Sequence, residues 1–300
     1  MAIKIGGGRT NMHWWNKVSL GFGAALASVL GSGVAMAAPV VGEPHPWEMG
    51  LQPTYSPIGN EISRFNDLVL AVAFAISAVV FVLLIYACIR FRRSRNPVPS
   101  RTSHNTVLEV MWTVIPVMIL VVVAIPSYKL LYAEDFPPPI GLTVEAIGHQ
   151  WYWSYAYPKD GNFSYNSLIV PTAKLKPGQP RLLTVDHALV VPVNTNIRVK
   201  ITSTDVLHAW FVPSLGVQKE AVPGRINETW FRAERVGTYY GQCNELCGIG
   251  HSRMPIEVKV LSKADFTRWL AAAKKEYSAG LERRAPAPPA RLIQLASASE

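Results

Sequence analysis

Two long apolar runs, Leu68–Ile89 and Val107–Tyr128, constrain this chain more than any other feature. A bilayer core about 30 Å thick needs about 20 apolar residues to cross it as a helix. Inside it every backbone N–H and C=O must be paired within the segment, so each run reads as a spanning helix. The first run carries no charge. The second has Glu109 near its start and Pro116 and Pro126 within it, which membrane helices tolerate better than soluble ones. Between the runs, Arg90, Arg92, Arg93, Arg95 and Arg101 crowd one short loop. Arg-rich short loops stay cytoplasmic, so both outer ends of the hairpin face the opposite side.

The N-terminus gives the same topology independently. Lys4, Arg9 and Lys17 flank the Gly/Ala-rich apolar run Val18–Val34, and Ala35-Met36-Ala37 forms a small-x-small cleavage site. Residues 1–37 therefore read as an export signal with the mature chain starting near Ala38. The competing reading, an uncleaved first helix, is opposed by Gly21, Gly23, Gly31 and Gly33 in the run. Residues 38–67 then form an outer arm, irregular through its proline-rich first part, and 68–131 the hairpin. The formal net charge of +9 resides in the leader, the Arg loop and the tail. Between Ala133 and Leu261, 12 basic residues meet 11 acidic ones, which excludes the basic folded face of a nucleic-acid binder.

Residues 132–261 change character. After the Pro137-Pro138-Pro139 spacer come short β-branched and aromatic runs at Leu142–Ile147, Trp151–Tyr157, Leu182–Val185, Asn196–Thr202, Ile226–Ala233, Thr238–Gly241 and Ile256–Leu261. Turn signals separate several of them, a pattern that points to a β-sandwich or barrel. Residues 262–284 read as an amphipathic helix, with Ser262 and Asp265 at capping-box spacing and Phe266, Trp269, Leu270 and Tyr277 on one side. The Ala/Pro-rich stretch 285–300 reads as a disordered tail.

The chemistry concentrates in Tyr240-Gly-Gln-Cys243-Asn-Glu245-Leu-Cys247-Gly-Ile-Gly-His251-Ser-Arg-Met254-Pro. Two thiols, an imidazole and a thioether lie within this loop, and Thr204–Trp210 supplies a second imidazole, His208, from another strand end. Soft thiolate and thioether donors with imidazole favour copper. A mononuclear blue site uses one cysteine; here two thiolates can bridge a pair of copper ions, each with a terminal imidazole. A Cys₂His₂ zinc site would leave Met254 without a role. A Cys243–Cys247 disulfide would leave both histidines and Met254 without one. Cys88, inside the first apolar run, reads as a small buried hydrophobe.

This loop resembles the binuclear copper motif of cytochrome c oxidase subunit II, and the hairpin followed by an outward all-β domain is similar to that family's layout. The resemblance implies a two-helix transmembrane hairpin followed by a cupredoxin-like Greek-key domain in the periplasm of a bacterial inner membrane. It implies His208, Cys243, Cys247, His251 and Met254 as copper ligands. Glu245 would add its carbonyl to copper and its side chain to a magnesium shared with subunit I. Gly148–Tyr155 resembles the family's aromatic stretch, which makes Trp151 the acceptor of electrons from a c-type cytochrome. Leu108–Thr113 resembles the start of the family's second helix, which makes Glu109 a proton-uptake group instead of a plain interfacial carboxylate. The implied partners are oxidase subunits I and III, the cytochrome donor and membrane lipid, and the implied reaction is reduction of oxygen to water coupled to proton translocation. One departure concerns docking: Ala156 follows Tyr155 where relatives carry carboxylates, leaving Glu145, Asp160, Asp186 and Asp205 as candidates. The alternative class is a stand-alone membrane-anchored copper-delivery protein, which the full ligand set and two-span anchor oppose.

Overall fold

The computed structural model describes residues 41–98 and 100–282; the leader 1–37 and the tail 285–300 lie outside the described residues. Helix α1 spans Pro57–Arg90 and α2 spans Thr106–Asp135. Each is long and apolar enough to cross a membrane, and none of its most apolar stretch is buried within the chain. So much exposed apolar surface requires a nonaqueous surround. The helix α1 begins upstream of its apolar run and takes up the last part of the segment 38–67 expected to be an arm. Its start has a local cause. Ser56 Oγ accepts the Gly59 N–H at 2.9 Å, and Pro57 occupies the first helical position, where no N–H is needed. The same hydroxyl donates to the Leu215 carbonyl at 2.7 Å, so the cap also fastens the hairpin to the β-domain. The helix α2 is secured at its far end, where Trp230 Nε1 donates to the Ala133 carbonyl at 3.0 Å. The arm from 41 to 56 runs along the domain, with Tyr55 N–H bonded to Ser214 O and Glu234 N–H to Tyr55 O, both at 2.9 Å.

The domain is a sandwich of two five-stranded sheets. Its strands are β1 (Leu142–His149), β2 (Tyr152–Tyr157), β3 (Phe163–Ser167), β4 (Leu189–Pro192), β5 (Ile197–Ser203), β6 (His208–Val212), β7 (Val217–Ala221), β8 (Asn227–Phe231), β9 (Gly237–Cys243) and β10 (Pro255–Leu261). One sheet has the order β3-β2-β1-β5-β8 and the other β4-β10-β9-β6-β7. The β1–β5 and β10–β4 pairs are parallel and the rest antiparallel, so the chain crosses between the two sheets. Inward residues such as Val144, Val199, Ile201, Trp210, Phe231, Tyr239 and Val258 are fully buried between the layers. The run Leu182–Val185, expected as a strand, is a turn. Leu183 and Thr184 both donate to the Pro180 carbonyl, Leu182 takes a φ of 65°, and only Val185 bridges to Ile169. Helix α3 (Lys263–Glu282) packs against β3, β4 and β10, along an edge of both sheets. Its cap follows the expected spacing: Asp265 N–H donates to Ser262 Oγ at 3.1 Å, and that hydroxyl donates to Asp265 Oδ2 at 2.6 Å.

Candidate metal centre

At one end of the sandwich, the start of β6, the end of β9 and the β9–β10 loop converge beneath the β1–β2 turn. Cys243 closes β9, and its N–H donates to the Met254 carbonyl at 3.0 Å, which draws both residues to the neck of the loop. Met254 is fully buried there. Two further backbone bonds shape the loop, His251 N–H to Gly248 O at 3.1 Å and Arg253 N–H to Gly250 O at 2.9 Å. Asn244 N–H donates to Ala209 O at 3.1 Å and holds the loop against β6, whose first residue is His208.

The ligand atoms of His208, Cys243 and Cys247 all lie within 4.8 Å of one another. The two sulfurs are 3.8 Å apart and both thiols are free, so no disulfide joins them. Each thiol faces one imidazole: Cys243 Sγ is 3.8 Å from His208 Nδ1, and Cys247 Sγ is 3.5 Å from His251 Nδ1. The Glu245 carbonyl oxygen stands 3.3 Å from Cys243 Sγ. Four soft or borderline side chains, a carbonyl at hand and a buried thioether at the loop neck form a donor set that suits copper. The two sulfurs also differ in acidity. Burial pushes the Cys243 thiol up, but hydrogen bonds with His208, the backbone at Ala209 and Glu245, and His251 outweigh it and bring the group down to about 6. Burial and the adjacent Cys243 charge push Cys247 up to about 12. One thiolate therefore forms readily, and the second forms against its charge.

Trp151 lies in the two-residue turn between β1 and β2, one position before the strand expected to contain it. Its Nε1 donates to the Cys247 carbonyl at 3.1 Å, and Gln150 Nε2 donates to the same oxygen at 3.0 Å. The ring rests on the loop so closely that a Cβ at Gly250 would lie 2.3 Å from its Cγ. Only glycine admits that approach. On the other side of the centre, a Cβ at Gly148 would lie 2.7 Å from His208 Cδ2. Trp153, fully buried, sets its ring edge-on to His208 with centroids 6.0 Å apart.

Two residues gain parts that the sequence reading missed. Asp205, grouped above with docking carboxylates, accepts from His208 Nε2 at 2.9 Å and from Gln150 N–H at 2.7 Å. Its position three before a candidate ligand histidine was the available signal. Nothing in the sequence marks Gln150, because its amide partner is a backbone carbonyl 97 residues away. Glu109 is not part of this cluster. It lies in the first turn of α2, at the far end of the hairpin, where its Oε1 accepts the Asn105 N–H at 3.2 Å.

Both halves of the chain match known proteins. Residues 142–261 match the family described as "Cytochrome C oxidase subunit II, periplasmic domain", and residues 44–130 match "Cytochrome C oxidase subunit II, transmembrane domain". A protein of Rickettsia bellii named as a probable cytochrome c oxidase subunit 2 is 48% identical over 233 residues, covering 78% of this chain and 87% of its own. The cytochrome c oxidase subunit 2 of Cereibacter sphaeroides is 38% identical over 272 residues, covering 85% of this chain and 89% of its own. A crystal structure of the periplasmic domain of subunit II of the Bradyrhizobium japonicum oxidase is 49% identical, covering 47% of this chain and 99% of that one with a TM-score of 0.45. With both halves matched and relatives aligned over most of their length, the chain belongs to the cytochrome c oxidase subunit II family.

Proposed function

We propose that this chain accepts electrons from a c-type cytochrome on the periplasmic side of a bacterial inner membrane and delivers them to subunit I, with subunit III as a further partner. The observation that carries this reading is the pairing of two thiols, 3.8 Å apart, with one imidazole each. Bound there, two copper ions would supply a one-electron redox centre feeding the heme of subunit I, where oxygen is reduced to water and protons are moved. Cys243 and Cys247 as thiolates, together with His208, His251, Met254 and the Glu245 carbonyl, would hold the copper. The acidity of Cys243 favours loading, because a thiolate is the ligating form. Trp151, half-buried and bonded to the Cys247 carbonyl, offers its indole to the donor from a fixed position. The Glu245 carboxylate contributes to a magnesium site shared with subunit I. Glu109, about 40 Å of helix away at ~1.5 Å per residue, serves proton uptake at the cytoplasmic face.

Purification of the full chain from native membranes tests this directly. A heme-bearing subunit should accompany it, with copper on this chain. Isolation of the chain without heme, with exchangeable copper, would support the copper-delivery reading instead.

A further inference from the structure

We propose that Asp205 is a positioning residue of this centre: its one carboxylate fixes the His208 imidazole and, through the Gln150 N–H, the turn that carries Trp151. The inference rests on the reading of His208 as a metal ligand and Trp151 as the electron acceptor. Asp205 Oδ1 accepts His208 Nε2 at 2.9 Å, and Oδ2 accepts the Gln150 N–H at 2.7 Å. The Val206 N–H and the Ser203 hydroxyl add bonds to Oδ1 at 2.6 and 3.3 Å. Both oxygens are thus engaged within the domain, although the side chain is 29% exposed. The His208 side chain is 0% exposed, so no water can replace the carboxylate at Nε2. With the Nε2 proton held there, the lone pair lies on Nδ1, the atom that faces Cys243 Sγ.

The second bond extends this control to Trp151. The turn at 150–151 is pinned from two sides: its backbone by Asp205, and its side chains by the Cys247 carbonyl. The segment bearing Asp205 is itself braced, since Thr204 Oγ1 lies 2.8 Å from His149 Nδ1 and the other ring nitrogen lies 3.0 Å from Ser154 Oγ. One carboxylate therefore sets the ligand and the electron acceptor in a common frame. A neutral amide at this position cannot serve both partners, because its nitrogen has no lone pair to offer the Gln150 N–H. A carboxylate partner also makes imidazole a stronger donor, which favours the oxidised metal.

The test uses the full chain in its oxidase complex, without added cytochrome, so that loss of docking cannot imitate the effect. Redox titration of the copper centre, nitrogen hyperfine couplings of its two histidines and copper retention against a chelator are compared for wild type and D205N. Expected are a raised midpoint potential, an altered His208 coupling with the His251 coupling unchanged, and retention weakened about 10–100-fold. If D205N does not accumulate, D205E keeps the charge but cannot span both partners, and it should still alter the His208 coupling selectively. Wild-type couplings and potential in either variant would overturn the proposal and return Asp205 to a surface charge. A wild-type centre with no His208 coupling would overturn the metal-site reading and this inference together.

Discussion

At the residue scale, the candidate ligand loop is legible in the sequence because its donors are local. Cys243, Cys247, His251 and Met254 fall in one short segment, and the fold sets each thiol beside one imidazole. Asp205 was legible only as an acid, since its partners His208 and Gln150 are chosen by the fold. Trp151 tests the loop's function. Trp151→Phe keeps an aromatic ring but loses the Nε1 bond to Cys247 O. Stopped-flow reduction by a c-type cytochrome should slow by an order of magnitude or more at unchanged copper content. An unchanged rate with intact docking would make Trp151 a packing residue. Gly250 tests the loop's geometry. Gly250→Ala forces a Cβ into the Trp151 ring, an overpacking that costs about 1–3 kcal/mol. Denaturant unfolding should register that loss together with displaced Trp151 fluorescence, whereas wild-type stability would contradict the close approach.

At the element scale, the hairpin is plain from the sequence because two runs of about 20 residues, uncharged but for Glu109, admit few alternatives in lipid. The strands were harder to read. β7 reads Val-Gln-Lys-Glu-Ala, and its exposed Gln218 and Glu220 alternate with buried Val217 and Ala221 over too few residues to register as a period. β4 is four residues long, and its parallel pairing with β10 comes from the far end of the domain. Leu182–Val185 had strand composition, but the Pro180 carbonyl captures its N–H groups in a turn. Helix α3 starts beside the Ser262–Asp265 cap, and its contacts give it a measurable value. Trp269 meets Tyr157 at 5.4 Å and Phe163 at 6.3 Å between ring centroids. Because it is half-buried, Trp269→Ala should destabilise the domain by less than the about 3–5 kcal/mol of a fully buried Trp, and a value near zero would mean that α3 does not support the sandwich. For α2, Glu109 accepts the Asn105 N–H and so assists the cap. Glu109→Gln keeps an acceptor for that bond but removes the exchangeable proton. Steady-state oxygen reduction should fall several-fold while copper reduction by cytochrome stays normal. Normal turnover would leave Glu109 as a helix cap alone.

At the scale of the whole molecule, the hairpin and domain are joined by specific bonds rather than by a free linker. Ser56 ties the start of α1 to Leu215, Trp230 ties the end of α2 to the sandwich, and the arm from 41 to 56 is bonded along its edge. This tethering was invisible in the sequence, where 38–67 read as a peripheral arm and Trp230 as one more strand residue. It holds the domain that carries the candidate metal centre in a set relation to the hairpin, as the proposed relay to subunit I would need. Near-neutrality of the domain, twelve basic against eleven acidic residues, keeps strong steering charge off it. The proposed function stands on paired thiolates that would hold a binuclear copper centre. Metal analysis with electron paramagnetic resonance of the oxidised, full-length chain in its complex tests it most directly. Two coppers on this chain, with one unpaired electron shared between two equivalent nuclei, are expected. One copper with a mononuclear spectrum, or zinc in its place, would contradict it.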